Sequence, residues 1–224
     1  YSVSTRSLVP LVIHQAYLGN YMPLAGLVAR SEGGQGIYIG LLFNITSSFI
    51  KMKSLDSAVF YNKKAYNYLL NTKTPNVLGY AIFNSGKIYY LKNDYKKAIK
   101  NFKDALPFII NDENFNTVSA VYLYIAKANN EIGNIKNIIK FCKKIDSLKS
   151  KEKIIHSSQS FAYKYLLNYY KEKNNDKKQL EYINKYITVD SILNARAKSI
   201  RKNLTDNYDI PNLIAEKKLI EDRL

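Results

Sequence analysis

Residues 79–112 read GYAIFNSGKIYYLKNDYKKAIKNFKDALPFIIND, and this stretch decides the fold. It predicts two antiparallel helices joined at Asn93-Asp94. Gly86 and Ala98 are small where such helices cross closely, Tyr89 and Phe102 fill the space beside them, and Ala105 lets a following helix approach. Asp94 is placed to cap the second helix.

The same frame recurs at a spacing near 40. Upstream, Phe49, Ala58 and Ala65 take the places of Tyr89, Ala98 and Ala105. Downstream, Ala126 replaces Gly86, Gly133-Asn134 supplies the turn, and Ile138, Cys142 and Ile145 are the packing residues. Further on, Tyr170, the turn Asn174-Asn175, Ile183 and Tyr186 repeat the pattern. Four helix pairs are therefore expected over 39–190, starting near 39, 79, 119 and 160. Residues 1–38 carry a fainter copy, a weak N-terminal repeat or cap in which Gly19-Asn20-Tyr21 mimics the turn and Ser31 to Gly34 ends a helix. Pro10 falls inside its first helix, and the first 50 residues hold only Arg6, Arg30 and Glu32 as charges. So little charge reads as an atypical capping repeat or as an end covered by a partner or a second copy of the chain.

The spacing of Gly86, Tyr89, Asp94-Tyr95, Ala98, Phe102 and Ala105 resembles that of the tetratricopeptide repeat (TPR). The resemblance implies an all-α fold: a right-handed superhelical α-solenoid of TPR-like antiparallel helix pairs, with C-terminal capping and linker helices. Departures are visible. Ile82 stands at the first-helix anchor usually held by Trp, no unit has the helix-ending Pro, and the period near 40 exceeds the usual 34, which calls for longer helices or wider loops.

After Asp190 the pattern changes, and 191–224 is read as a capping helix followed by a juxtamembrane-type linker helix. In SILNARAKSIRKNL, the residues Ile192, Leu193, Ile200 and Leu204 are expected to cover the last repeat, as the open end of a solenoid requires. Around Pro211, where a new helix would start, the residues Ile210, Leu213, Lys217, Ile220 and Leu224 fall on a three-four spacing. The Asp190-Ser191 step, the Tyr208-Asp209-x-Pro211 turn and Glu216-Lys217-Lys218 resemble the juncture of bacterial membrane-anchored regulators that carry TPR sensor regions. That resemblance implies a following membrane span and an output domain, often an AraC-type helix-turn-helix DNA-binding domain. DNA would be bound only through that further domain. Repeats outside the cytoplasm and anchored at the inner membrane are implied, with a cytoplasmic adaptor as the alternative. A homodimer would form through the N-terminal region or the C-terminal helix. The chain opens on Tyr1 rather than Met and is read as part of a longer protein.

Composition narrows the chemistry. The net charge is +16, but the cations are 29 Lys and only 5 Arg, spread along helices. Base readers lean on Arg for bidentate contacts, so a solvated basic face is favoured over a Lys-rich nucleic-acid-associated protein. Cys142 is the single cysteine and falls at a packing place, which favours a buried thiol over a nucleophile. His14 and His156 lie far apart without a motif, and Gly33-Gly34-Gln35-Gly36 lacks the Lys of a phosphate loop and reads as a linker. No catalytic, metal or cofactor site is expected, and the chain is read as a non-enzyme.

Binding is the remaining role. First helices of stacked pairs line the concave surface, and the frame names Tyr80, Phe83, Lys87 and Tyr90 from one unit. Leu123, Lys127 and Asn130 come from the next, and Lys164, Asn168 and Lys171 from the last. Such a groove suits a protein or peptide ligand, as an extended peptide or an acidic segment. Packing of Tyr80 and Phe83 between repeats is the competing reading. Lys164 and Asn168 match the residue types of a TPR carboxylate clamp, but no following repeat completes one.

Overall fold

A single turn geometry recurs at Lys53, Asn93, Gly133 and Asn174, whose φ angles are 57°, 61°, 68° and 50°. The computed structural model describes residues 34–70, 75–111, 115–148 and 155–204, and these turns divide its helices into pairs. The first pair is α1 (Gly34–Lys51) and α2 (Leu55–Leu70); the second is α3 (Pro75–Leu91) and α4 (Tyr95–Asn111). The third is α5 (Phe115–Glu131) and α6 (Ile135–Ser147), and the fourth is α7 (Ser157–Glu172) and α8 (Asp176–Leu204).

Each turn closes one helix and opens the next with the same residue. The amide of Ser54 donates to the Phe49 carbonyl at 3.0 Å, and the amide of Lys53 to Ile50 at 3.1 Å. Asp94 to Tyr89, Asn134 to Asn129 and Asn175 to Tyr170 repeat the longer bond at 3.0, 2.9 and 3.0 Å. This is the Schellman arrangement, in which a left-handed residue lets two orphan carbonyls be satisfied. The carbonyls of Ser54, Asp94, Asn134 and Asn175 then accept from Ala58, Ala98, Ile138 and Gln179. Side chains finish the cap: Asp94 Oδ1, Asn134 Oδ1 and Asn175 Oδ1 accept from the amides of Lys97, Asn137 and Lys178.

The chain forms two compact units, Tyr1–Ile138 and Ile139–Leu224. In the first, α2 buries Ala58, Asn62, Ala65 and Leu69, and α4 buries Ala98, Phe102, Ala105 and Ile109 at positions forty residues on. The close crossing expected at Gly86 is present. A Cβ there would overlap the Phe102 ring, and one at Gly79 would lie 2.6 Å from Phe108 Cβ. Pro107 sits inside α4, which continues to Asn111. In the second unit, Tyr182 of α8 stacks on Tyr170 of α7 at 5.6 Å and lies 6.0 Å from Tyr163. Its hydroxyl donates to Asp146 Oδ2 at 3.0 Å, and Lys185 Nζ reaches the same carboxylate at 3.1 Å.

Three boundaries differ from the sequence reading. Gly34 begins α1 instead of ending a helix or serving as a linker, because the following residues Tyr38, Ile39, Leu41, Leu42 and Ile45 bury a helical face that carries the glycines with it. Asp190-Ser191 is no break: α8 runs through it for 29 residues, with Val189 buried and Asn194 Nδ2 donating to Asp190 Oδ2 at 2.9 Å. Ile192 and Leu193 are half-buried, whereas Ile200 is 61% exposed and covers nothing. The helix pairs begin at Gly34, Pro75, Phe115 and Ser157, three to five residues before the expected starts, because the frame marks packing residues and not the first helical turn. The N-terminal copy up to residue 33, and the helix read after Pro211, lie outside the described residues. Among the described residues no helix is long and apolar enough to cross a membrane.

Candidate functional site

Lys87 is the most unusual cation on the first-helix face of the first unit. It sits near the end of α3 and is half-buried. Its Nζ lies 4.3 Å from the centroid of Phe83 and 6.0 Å from that of Tyr124, and donates to Asn84 Oδ1 at 3.1 Å. Among the described residues it has no carboxylate partner. Burial first, and then the positive charge of Lys51, pushes its pKa down to about 8.

An aromatic cluster supports this amine. Phe83 is buried and meets Phe102 and Tyr124 edge-on, each at 5.7 Å. Tyr124 also lies 5.4 Å from Phe102 and 5.9 Å from Tyr90, and burial raises its pKa. Tyr90 is half-buried, with its ring 5.5 Å from Tyr95. Its hydroxyl titrates above the ordinary value, through burial first and then the charge of Glu131. Tyr90, Tyr95 and Glu131 share a hollow of about 370 Å³. Lys127 Nζ reaches to 6.0 Å over Tyr124 from the next first helix. Aromatic faces stabilise a cation but do not neutralise it, so the site keeps a positive charge below about pH 8.

The residues named from sequence are therefore distributed unevenly. Lys87, Tyr90 and Lys127 converge around Tyr124. Tyr80 is half-buried against Phe43 at 6.1 Å, and Phe83 is inside the packing, leaving neither as a freely offered ring. Leu123 is half-buried and Asn130 exposed near the end of α5. Lys164, Asn168 and Lys171 lie exposed on α7, in the second unit.

Asn84 and Tyr124 were not named by the frame. They occupy equivalent places forty residues apart, as do Phe83 and Leu123. The strict period led to Leu123, whereas the neighbouring Tyr124 carries the contact with Lys87; an aromatic three residues before Lys127 was the available signal.

The geometry supplies no reactive machinery among the described residues. Cys142 is fully buried and burial pushes its thiol up to about 12, far from thiolate at neutral pH. The described residues hold no group of His, Cys, Asp and Glu that could bind a metal ion. His156 caps the start of α7, its amide donating to Gln159 Oε1 at 2.9 Å, which is a structural task.

No protein-family model matches the chain, and no curated protein sequence matches it. Solved structures do. The TPR-like repeats of a kinesin-light-chain-type protein from Podosopora anserina superpose with a TM-score of 0.52 at 11% identity, over 84% of this chain and 95% of that one. A single-substitution form of that protein gives 0.53 at 11% identity, over 85% and 96%. BtubC (BKLC) from P. vanneervenii gives 0.61 at 9% identity, over 84% and 74%. At such low identity the likeness is one of architecture, and it establishes the TPR-like helical-repeat fold of this chain.

Proposed function

We propose that the chain is a protein- or peptide-binding sensor region that holds an acidic segment against the first-helix face around Lys87. The observation that carries this reading is a desolvated amine that has no carboxylate partner among the described residues. A buried cation is costly unless paired, and a carboxylate brought by a ligand would relieve that cost. Tyr90 and Tyr124 beside it add apolar area, and Lys127 adds a second charge. The TPR-like fold supports the same reading by analogy.

The coupling of such a sensor to a transcriptional output is part of the proposal. It is supported by α8, whose unbroken 29 residues give a rigid connection of about 44 Å from the last turn toward the C-terminal residues. An AraC-type DNA-binding output beyond it, with anchoring at the inner membrane, rests on the resemblance of 190–218 alone.

An array of extended peptides that differ only in acidic content tests the binding role. Retention of the chain is expected on peptides with Asp or Glu beside an aromatic residue. Lys87→Met combined with Lys127→Gln should remove it while the far-ultraviolet circular dichroism stays unchanged. Equal retention on neutral peptides would place the site elsewhere.

A further inference from the structure

We infer that Lys87, set between aromatic rings and beside Lys51, is a modification site that takes up carbon dioxide reversibly as a carbamate. The lone pair of Nζ attacks the carbon of carbon dioxide. The C–N bond forms as one C–O π pair moves onto oxygen, and a proton from nitrogen passes to solvent water. Counted from the ammonium form, two protons are lost and the side chain goes from one positive charge to one negative charge.

The surroundings suit that step. Nζ lies 4.3 Å from the Phe83 centroid and 6.0 Å from that of Tyr124, and these apolar faces favour an uncharged molecule without a dipole. Lys97, Lys100 and Lys185 are each held as ammonium by an aspartate, at 2.8, 2.7 and 3.1 Å. Lys87 has no such partner among the described residues. Its one hydrogen bond there, to Oδ1 of the buried Asn84 at 3.1 Å, survives the reaction, because a carbamate nitrogen keeps one hydrogen to donate.

The neighbouring charges favour the product. Lys51, the last residue of α1, is exposed, and its charge opposes the Lys87 ammonium. The same charge attracts a carbamate. Lys127, beside the Tyr124 ring at 6.0 Å, acts in the same sense, while Tyr90 and Tyr124 titrate above the ordinary value and stay neutral. Only a free amine attacks carbon dioxide. At neutral pH an amine of pKa about 8 holds about 300 times the free-base fraction of one at 10.5. Carbamate formation would turn the face around Lys87 negative and release an acidic segment held there. That consequence rests on the function proposed above, whereas the carbamate itself does not.

Trapping tests the site without any peptide ligand. The chain is equilibrated with isotopically labelled bicarbonate at pH 8, carbamates are alkylated with a trialkyloxonium salt, and the labelled residues are located by peptide mass spectrometry. Lys87 is expected to exceed each exposed lysine by at least about tenfold, in keeping with its larger free-base fraction. The α-amino group of the expressed chain, of pKa about 7.7–8.0, should also be labelled and shows that trapping works. Lys51→Gln should reduce labelling of Lys87 several-fold while the circular dichroism is retained, since Lys51 is exposed. An unlabelled Lys87 beside a labelled α-amino group would overturn the assignment. Labelling spread evenly over the lysines, or labelling of Lys87 unchanged in Lys51→Gln, would do so equally.

Discussion

Gly86 of α3 faces the ring of Phe102 of α4 so closely that a single methyl group at position 86 would overlap the ring's Cδ1 and Cε1. Phe102 has no exposed surface and is held by Phe83 and Tyr124, so it cannot swing aside cheaply. Gly86→Ala gains about 1 kcal/mol of helix propensity but overpacks the crossing, which costs about 1–3 kcal/mol. Urea denaturation should show net destabilisation, and the penalty should shrink in a Phe102→Leu background. Gly40 provides the contrast: an added Cβ meets nothing within 4 Å, so Gly40→Ala should raise stability by about 0.5–1 kcal/mol.

Lys53 holds the left-handed conformation that Gly133 holds in the third pair. A non-glycine residue there is strained by about 1–2 kcal/mol, less the entropy a glycine loses on folding. Lys53→Gly is expected to stabilise the chain by about 0.5–1 kcal/mol, and Gly133→Ala to destabilise it by about 1 kcal/mol. Opposite shifts in the urea midpoint would verify both. Shifts of the same sign would contradict the shared geometry.

Lys87 makes stability depend on alkaline pH. Its folded pKa of about 8 lies below the ordinary 10.5, so the folded state binds fewer protons than the unfolded state between those values. Stability from this group therefore rises as pH increases from about 8 to 10.5, and its penalty is fully present below about 8. Lys87→Met should be more stable than wild type at pH 7, with the difference fading toward pH 10.5. Paired thermal melts of the two proteins across that pH range measure this difference.

His156 gives a dependence on acid pH instead. Its Nε2 is buried without a partner among the described residues, and burial, followed by the charge of Arg196, lowers its pKa. The folded state thus resists protonation, and stability falls as pH drops through the ordinary value of 6.5. Acidification from pH 7.5 to 5 should lower the melting temperature of wild type more than that of His156→Asn. Parallel losses would mean that His156 titrates as freely in the folded chain as in the unfolded one.

Legibility followed the physics of each feature. Gly86, Ala98, Phe102 and Ala105 were readable because a steric crossing restricts residue size, and size is visible in a sequence. Asn93-Asp94, Gly133-Asn134 and Asn174-Asn175 were readable because those residues tolerate positive φ. Lys53-Ser54 makes the same turn yet went unread, since a lysine in the left-handed region leaves no compositional mark. The glycines at 34 and 36 and the Asp190-Ser191 step looked like interruptions, but packing elsewhere on α1 and α8 overrides local propensity. Around Lys87 the cation and Tyr90 were legible from periodicity. Tyr124, one place off the strict frame, was not, because which of two adjacent side chains meets a neighbour depends on helix rotation.

Ser54, Asp94, Asn134 and Asn175 each end one helix and begin the next. No spacer exists at these positions that could absorb an added or deleted residue without unseating both helices at once. Tolerance to changes in length is thereby confined to the connections between pairs. The left-handed residues recur at intervals of 40, 40 and 41, so the helical hairpin is the indivisible unit in which this chain can be lengthened, shortened or recombined.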